Sequence, residues 1–146
     1  MTTFRTSILI NRPLEEVFAF LSNAENDPKW RSGAVEVKKT SKGPVGVDST
    51  WSSVGHLLGQ RIENEMECTE YESNWKYTVK SQSGSFPIES RATFEHIAGS
   101  TGINLTAEAE LGGLFSVAEP LLTNLVKRQF QGYLANLKDL MEAHAF

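Results

Sequence analysis

Apolar and polar residues alternate with period two through most of the chain, while helical spacing is confined to its front and back. Thr3–Ile10 sets Phe4, Thr6, Ile8 and Ile10 against Arg5, Ser7 and Leu9, which predicts a first strand. Pro13 then opens a run in which Leu14, Val17, Phe18 and Leu21 fall on one helical face. A proline in the first turn sacrifices no hydrogen bond, and Glu15 and Glu16 suit the positive end of the helix dipole. Ser22-Asn23-Ala24-Glu25 reads as a capping box for a second, short helix that Pro28 limits, with Trp30 just beyond.

From Ala34 to Leu111 the alternation is broken only by turn residues, and six strands are predicted: Ala34–Thr40, Val47–Leu58, Gln60–Tyr71, Trp75–Gln82, Phe86–Ile97 and Ile103–Leu111. Their connections are short, so consecutive strands should form antiparallel hairpins. In the last two, Phe86, Ile88, Ser90, Ala92 and Phe94 share one face, as do Ile103, Leu105, Ala107, Ala109 and Leu111. The opposite faces are polar, so one side of the sheet is wet and the other covered.

The cover is predicted to be a C-terminal helix with a stripe of Leu122, Val126, Gln129, Tyr133, Leu137, Leu140 and Met141. It starts either at a capping box, Ser116-Val117-Ala118-Glu119, or with Glu119 as the first helical residue before Pro120. Ala107 and Ala109 are expected opposite Gly132 and Ala135, small residues that either draw the backbones together or leave room for a ligand.

Composition narrows the function without naming it. The 146 residues suit one domain spanning 1–146 with a core that needs neither disulfides nor a metal. Lys and Arg total 14 against 18 Asp and Glu, so a global basic field for nucleic acid is absent. The single cysteine, Cys68, fits a reducing compartment, and Met1–Asn11 lacks the apolar core of a secretory signal. No apolar run reaches the ~18–20 residues of a membrane span. A cytoplasmic protein is expected.

The order of elements, with Ile10-Asn11-Arg12-Pro13-Leu14-Glu15-Glu16-Val17-Phe18-Ala19-Phe20-Leu21, Asn26-Asp27-Pro28-Lys29-Trp30, Lys42-Gly43-Pro44-Val45-Gly46-Val47-Asp48-Ser49-Thr50 and Thr69-Glu70-Tyr71-Glu72, resembles the START-like (SRPBCC) superfamily. The likeness is to its polyketide cyclase/dehydrase and lipid-transport-like branch. The resemblance implies an α+β helix-grip fold, in which a seven-stranded curved antiparallel sheet wraps a long C-terminal helix, with two short helices after the first strand. It also implies a hydrophobic cavity between sheet and helix for a lipid-, polyketide- or aromatic-like molecule. The superfamily has no invariant catalytic set, so the resemblance carries over no catalytic residue and no cofactor.

Strand parity and helix faces nominate Trp30, Asn64, Met66, Trp75, Tyr77, Phe86, Ser90, Leu105, Leu122 and Val126 as cavity wall. The apolar members supply contact area, and Asn64, Tyr77 and Ser90 could orient a ligand's oxygens. A core role with satisfied hydrogen bonds is the stronger expectation for any single polar member. A ligand site of this kind is expected to exceed ~300 Å³.

His56 and Tyr77 are the candidates for proton transfer. Trp51, Ser53, Gly55 and Leu57 take the parity opposite to His56, and the bulk of Trp51 argues that His56 points outward. No Asp or Glu has clear inward parity, which counts against a cyclase/dehydrase-like enzyme using the same cavity. Glu63, Glu65 and Glu67 share a face that reads as a solvated exterior, and the three histidines lie too far apart in sequence to suggest a metal site. Cys68 reads as a buried structural cysteine rather than a nucleophile. Two further readings stay open: an interaction module that binds no ligand, and a homodimer formed through an exposed sheet edge.

Overall fold

Seven strands form one antiparallel sheet in the order β1-β7-β6-β5-β4-β3-β2. They are β1 (Thr2–Ile10), β2 (Ala34–Lys39), β3 (Thr50–Leu57), β4 (Gln60–Glu72), β5 (Lys76–Gly84), β6 (Ile88–Ile97) and β7 (Ser100–Ala109). The computed structural model describes residues 2–115 and 117–144. After β2 every strand pairs with the one before it; the β2–β3 connection spans residues 40–49, and the later ones are short hairpin connections. Only β1 is non-local: it lies along β7, with Thr2 opposite Ala109 and Ile10 opposite Thr101.

Two short helices follow β1. In α1 (Leu14–Leu21), Val17, Phe18, Phe20 and Leu21 are buried, and Pro13 stands at the N-cap. A single 3-10 turn, Ala24–Asn26, then leads into α2 (Asp27–Trp30). The cap of that turn is Asn23, whose side chain accepts from the Glu25 N–H at 3.3 Å, rather than Ser22. Pro28 lies in the first turn of α2 and so belongs to the helix's start rather than its limit.

The long helix α3 (Glu119–Glu142) packs against β1 and α2. It begins at Glu119 with Pro120 second, the later of the two expected starts; Ser116, the first residue of the other, lies outside the described residues. Its buried seam is Leu122, Val126, Phe130, Tyr133, Leu134, Leu137 and Met141. Phe130 therefore replaces the expected Gln129, and Leu134 joins it. Spacings of four and three place these residues on one stripe, and Gln129 lies a residue out of phase. Gly132 and Ala135 are exposed on the far side, so they do not face Ala107 and Ala109.

Strand ends differ from the periodicity where turn chemistry intervenes. Ala98 and Gly99 both have positive φ, the signature of a two-residue hairpin loop, so β7 starts at Ser100. Pro87 has no N–H to offer the ladder, and β6 begins after it at Ile88, leaving Phe86 in the connection. Trp75 closes a turn by donating its N–H to Glu72 O at 2.9 Å, so β5 starts one residue later.

Gly55 marks a close crossing between β3 and the segment entering β2. A Cβ there would lie 2.5 Å from Gly33 O, and one on Gly33 would lie 2.3 Å from His56 O. Gly55→Ala should therefore destabilise the fold by about 1–3 kcal/mol. Urea unfolding measures this, and an unchanged midpoint would show that the crossing is not tight.

Candidate ligand-binding site

The covered face of the sheet and α3 line a partly open cavity of about 140 Å³. Its floor alternates along the strands: Trp51, Ser53, Gly55 and Leu57 from β3, Ile62, Asn64 and Met66 from β4, and Tyr77 and Val79 from β5. Ile88, Ser90 and Ala92 of β6 continue it, followed by Ile103, Leu105, Ala107 and Ala109 of β7. Phe4 of β1 and Val126, Phe130, Tyr133 and Leu134 of α3 close one side, while Asp27, Trp30 and Arg31 enter from α2 and its end. Period two explains the strand contributions, because every second side chain must turn to the covered face.

Eight of the nominated wall residues line this cavity: Trp30, Asn64, Met66, Tyr77, Phe86, Ser90, Leu105 and Val126. Two do not. Trp75 is 50% exposed because its backbone belongs to the turn before β5, where strand parity no longer applies. Leu122 is buried, but it packs in the core one turn of α3 before Val126 and does not reach the cavity. The volume is also about half of the ~300 Å³ expected. Aromatic rings occupy much of the space: Phe4 and Phe130 have centroids 5.0 Å apart, Phe130 and Tyr133 5.2 Å, and Trp51 and Tyr77 6.5 Å.

His56 is exposed, although it contributes to the wall, and its backbone N–H donates to Gly33 O at 2.7 Å. Trp51 is fully buried, as its parity requires. Tyr77 is 6% exposed, and burial together with the nearby Asp27 charge holds its phenol well above the ordinary value.

Sequence parity missed the titratable pair of the site, because the pair arrives on a helix. Asp27 opens α2 and Arg31 ends it, and Arg31 Nη1 donates to Asp27 Oδ2 at 3.2 Å. Opposite charges four residues apart on either side of Pro28 and Trp30 were the available signal. The guanidinium also lies 5.5 Å from the Phe130 ring centroid and 5.7 Å from that of Tyr133, in cation–π range. Burial raises the Asp27 carboxyl from 3.8 to about 6, against the pull of Arg31. Asn136 of α3 donates to Trp30 O at 3.3 Å and ties α2 to the long helix.

Among the described residues, five buried side-chain polar atoms have no hydrogen-bond partner within the protein. Four belong to residues of this wall: Trp30 Nε1, Arg31 Nε, Trp51 Nε1 and Tyr77 OH. Buried polar groups are nearly always paired, so their concentration at one cavity is unusual.

The remaining chemistry-bearing residues lie elsewhere. Glu63 pairs with Arg61, while Glu65 accepts from Ser52 and Glu67 from Gln82 on the outer face of the sheet. Cys68 is buried and donates to Glu70 O at 3.3 Å, and burial pushes its thiol up to about 11, far from a reactive thiolate. Among the described residues no helix is long and apolar enough to cross a membrane.

A curved antiparallel sheet gripping one long helix over an internal cavity defines a helix-grip, START-type domain. The chain belongs to the polyketide cyclase / dehydrase and lipid transport family, whose model matches residues 1–142. Solved structures agree on the fold. TTHA0849 from Thermus thermophilus superposes with a TM-score of 0.81 at 18% identity, covering 99% of both chains. A START superfamily protein from Mycobacterium smegmatis gives 0.82 at 14%, covering 97% of both. The di-domain ARO/CYC protein BexL, from the BE-7585A biosynthetic pathway, gives 0.73 at 16%, covering 97% of this chain and 47% of that one. A search of curated protein sequences returns no match.

The Asp27 environment has a measurable consequence. Its folded value near 6 exceeds its unfolded 3.8, so the folded state holds the proton more tightly. The stability this contributes is fully present below the unfolded value and is lost as pH rises through the folded one. Carboxyl ¹³C NMR should place the Asp27 midpoint near 6, with Arg31→Met moving it higher. Asp27→Asn should flatten the fall in stability between about pH 4 and pH 7. A wild-type midpoint near 4 would show the carboxyl to be solvated.

Proposed function

We propose that the protein is a cytoplasmic binding protein for a small, largely apolar molecule held between the sheet and α3. The observation that carries this reading is the cavity beneath α3, walled mainly by apolar and aromatic side chains with a few polar groups among them. That is the usual composition of a small-molecule site. The size narrows the occupant. About 140 Å³ is close to the ~150 Å³ of an engineered apolar cavity that takes up benzene, so a single ring fits without repacking. A longer lipid or polyketide requires the aromatic rings of the wall to move aside.

Ala107 provides the test. It lines the cavity and is 1% exposed, so Ala107→Leu places extra methyl groups in the free space. Native mass spectrometry of protein purified from its source should show a retained hydrophobic metabolite in the wild type and none in Ala107→Leu. An empty wild type that also takes up no small apolar compound in titration refutes the reading.

A second reading, an enzyme of the cyclase/dehydrase kind, is favoured by one observation: Asp27 and Tyr77 share the cavity wall, where burial raises the carboxyl to about 6. A group with that value can both take up and release a proton at physiological pH. On this reading Asp27→Asn abolishes turnover while leaving ligand retention in place. Full activity in that variant removes Asp27 from the chemistry.

A further inference from the structure

We infer that the occupant of this cavity is a neutral, ring-sized molecule carrying a carbonyl-type oxygen, received by the indole N–H of Trp51 and the hydroxyl of Tyr77. The inference rests on the ligand-binding reading above and specifies the chemistry of the occupant.

Polarity is the first argument. Of the four unpartnered polar atoms on wall residues, Trp30 Nε1, Arg31 Nε and Trp51 Nε1 can only donate, and Tyr77 OH can donate or accept. A buried donor left without a partner costs free energy that an acceptor on a ligand recovers. A pure hydrocarbon would fill the volume and leave all four unserved. Trp51 and Tyr77 are the two of these residues whose rings touch: 0% and 6% exposed, they meet edge to face from β3 and β5, with centroids 6.5 Å apart. Both rings are buried and in contact, so packing restricts their rotamers before a ligand arrives.

Charge is the second argument. Among the described residues, Arg31 is the one Lys or Arg of the wall; it is paired with Asp27, and its guanidinium also lies against Phe130 and Tyr133. A carboxylate entering the cavity would therefore meet no uncompensated positive charge, and burying an unpaired anion is costly. A neutral oxygen needs only a donor, and donors are what the wall supplies.

Benzaldehyde and toluene serve as probes, since they match in shape and differ in the oxygen. Their dissociation constants are measured by calorimetry for the wild type, Tyr77→Phe and Trp51→Phe. In the wild type, the preference for benzaldehyde over toluene should exceed that of either variant by about five-fold, the usual worth of one hydrogen bond. Toluene affinity should stay within about two-fold in Tyr77→Phe, which shows that this near-isosteric variant is folded with its cavity open. Trp51→Phe enlarges the cavity, so it is judged on the ratio of the two affinities alone.

If toluene binds and the ratio is the same in all three proteins, the inference falls and the binding reading stands; water would then be serving the donors. If neither probe binds, both fall together. Benzoate binding more tightly than benzaldehyde would overturn the neutral character assigned here.

Discussion

One helix has to cover one face of seven strands, and most of the structure follows from how poorly those two shapes match. Strands about 4.8 Å apart make a seven-stranded sheet roughly 29 Å wide, whereas a helix with its side chains is about 10–12 Å across. The sheet must therefore curl towards α3, and other groups must fill what the helix does not reach. α1 and α2 take one part, and the large rings Trp51, Tyr77, Phe86 and Phe130 take another. The cavity is the remainder. It lies over the middle of the sheet because α3 itself packs against β1, at the edge.

This geometry explains why the fold was legible in the sequence while the site was legible only in part. Alternation identifies which side of a strand is covered, and Ile103, Leu105, Ala107 and Ala109 are buried as their parity requires. Parity holds only while the backbone stays extended. It fails at Trp75, where a turn hydrogen bond from its N–H to Glu72 redirects the residue, although the same periodicity correctly orients Tyr77 two positions later. A helix stripe is harder to place than a strand face, since a one-residue error moves it by only ~100°. Gln129 could thus stand in for Phe130 on paper, while Val126 and Tyr133 were assigned to the buried side correctly.

Asp27 and Arg31 show a different limit. Their spacing is visible in the sequence, but α2 is only four residues long, too short for a periodic pattern to indicate which side is buried. What half-buries them is tertiary: Trp30 beside them is tied to α3 through Asn136, and Phe130 and Tyr133 lie against the guanidinium. A charged pair on a short connecting helix thereby becomes the polar end of an otherwise apolar enclosure. The fold supplies the enclosure, and α2, a connection rather than a core element, supplies its charged groups.

The unpartnered donors of the wall also bear on how long the protein survives. Left unserved, each costs the folded chain free energy that the unfolded chain, hydrated at the same groups, does not lose. An occupant that accepts from them binds the folded form alone, and so adds to its stability in proportion to the logarithm of its own concentration. Chaperones and proteases act on the unfolded fraction, and a shift of about one or two kcal/mol changes cellular abundance several-fold. If the cavity holds the small molecule proposed for it, orphaned indole and phenol groups would in this way couple the amount of the protein to the supply of that molecule: its scarcity would thin out the protein, without any dedicated regulator.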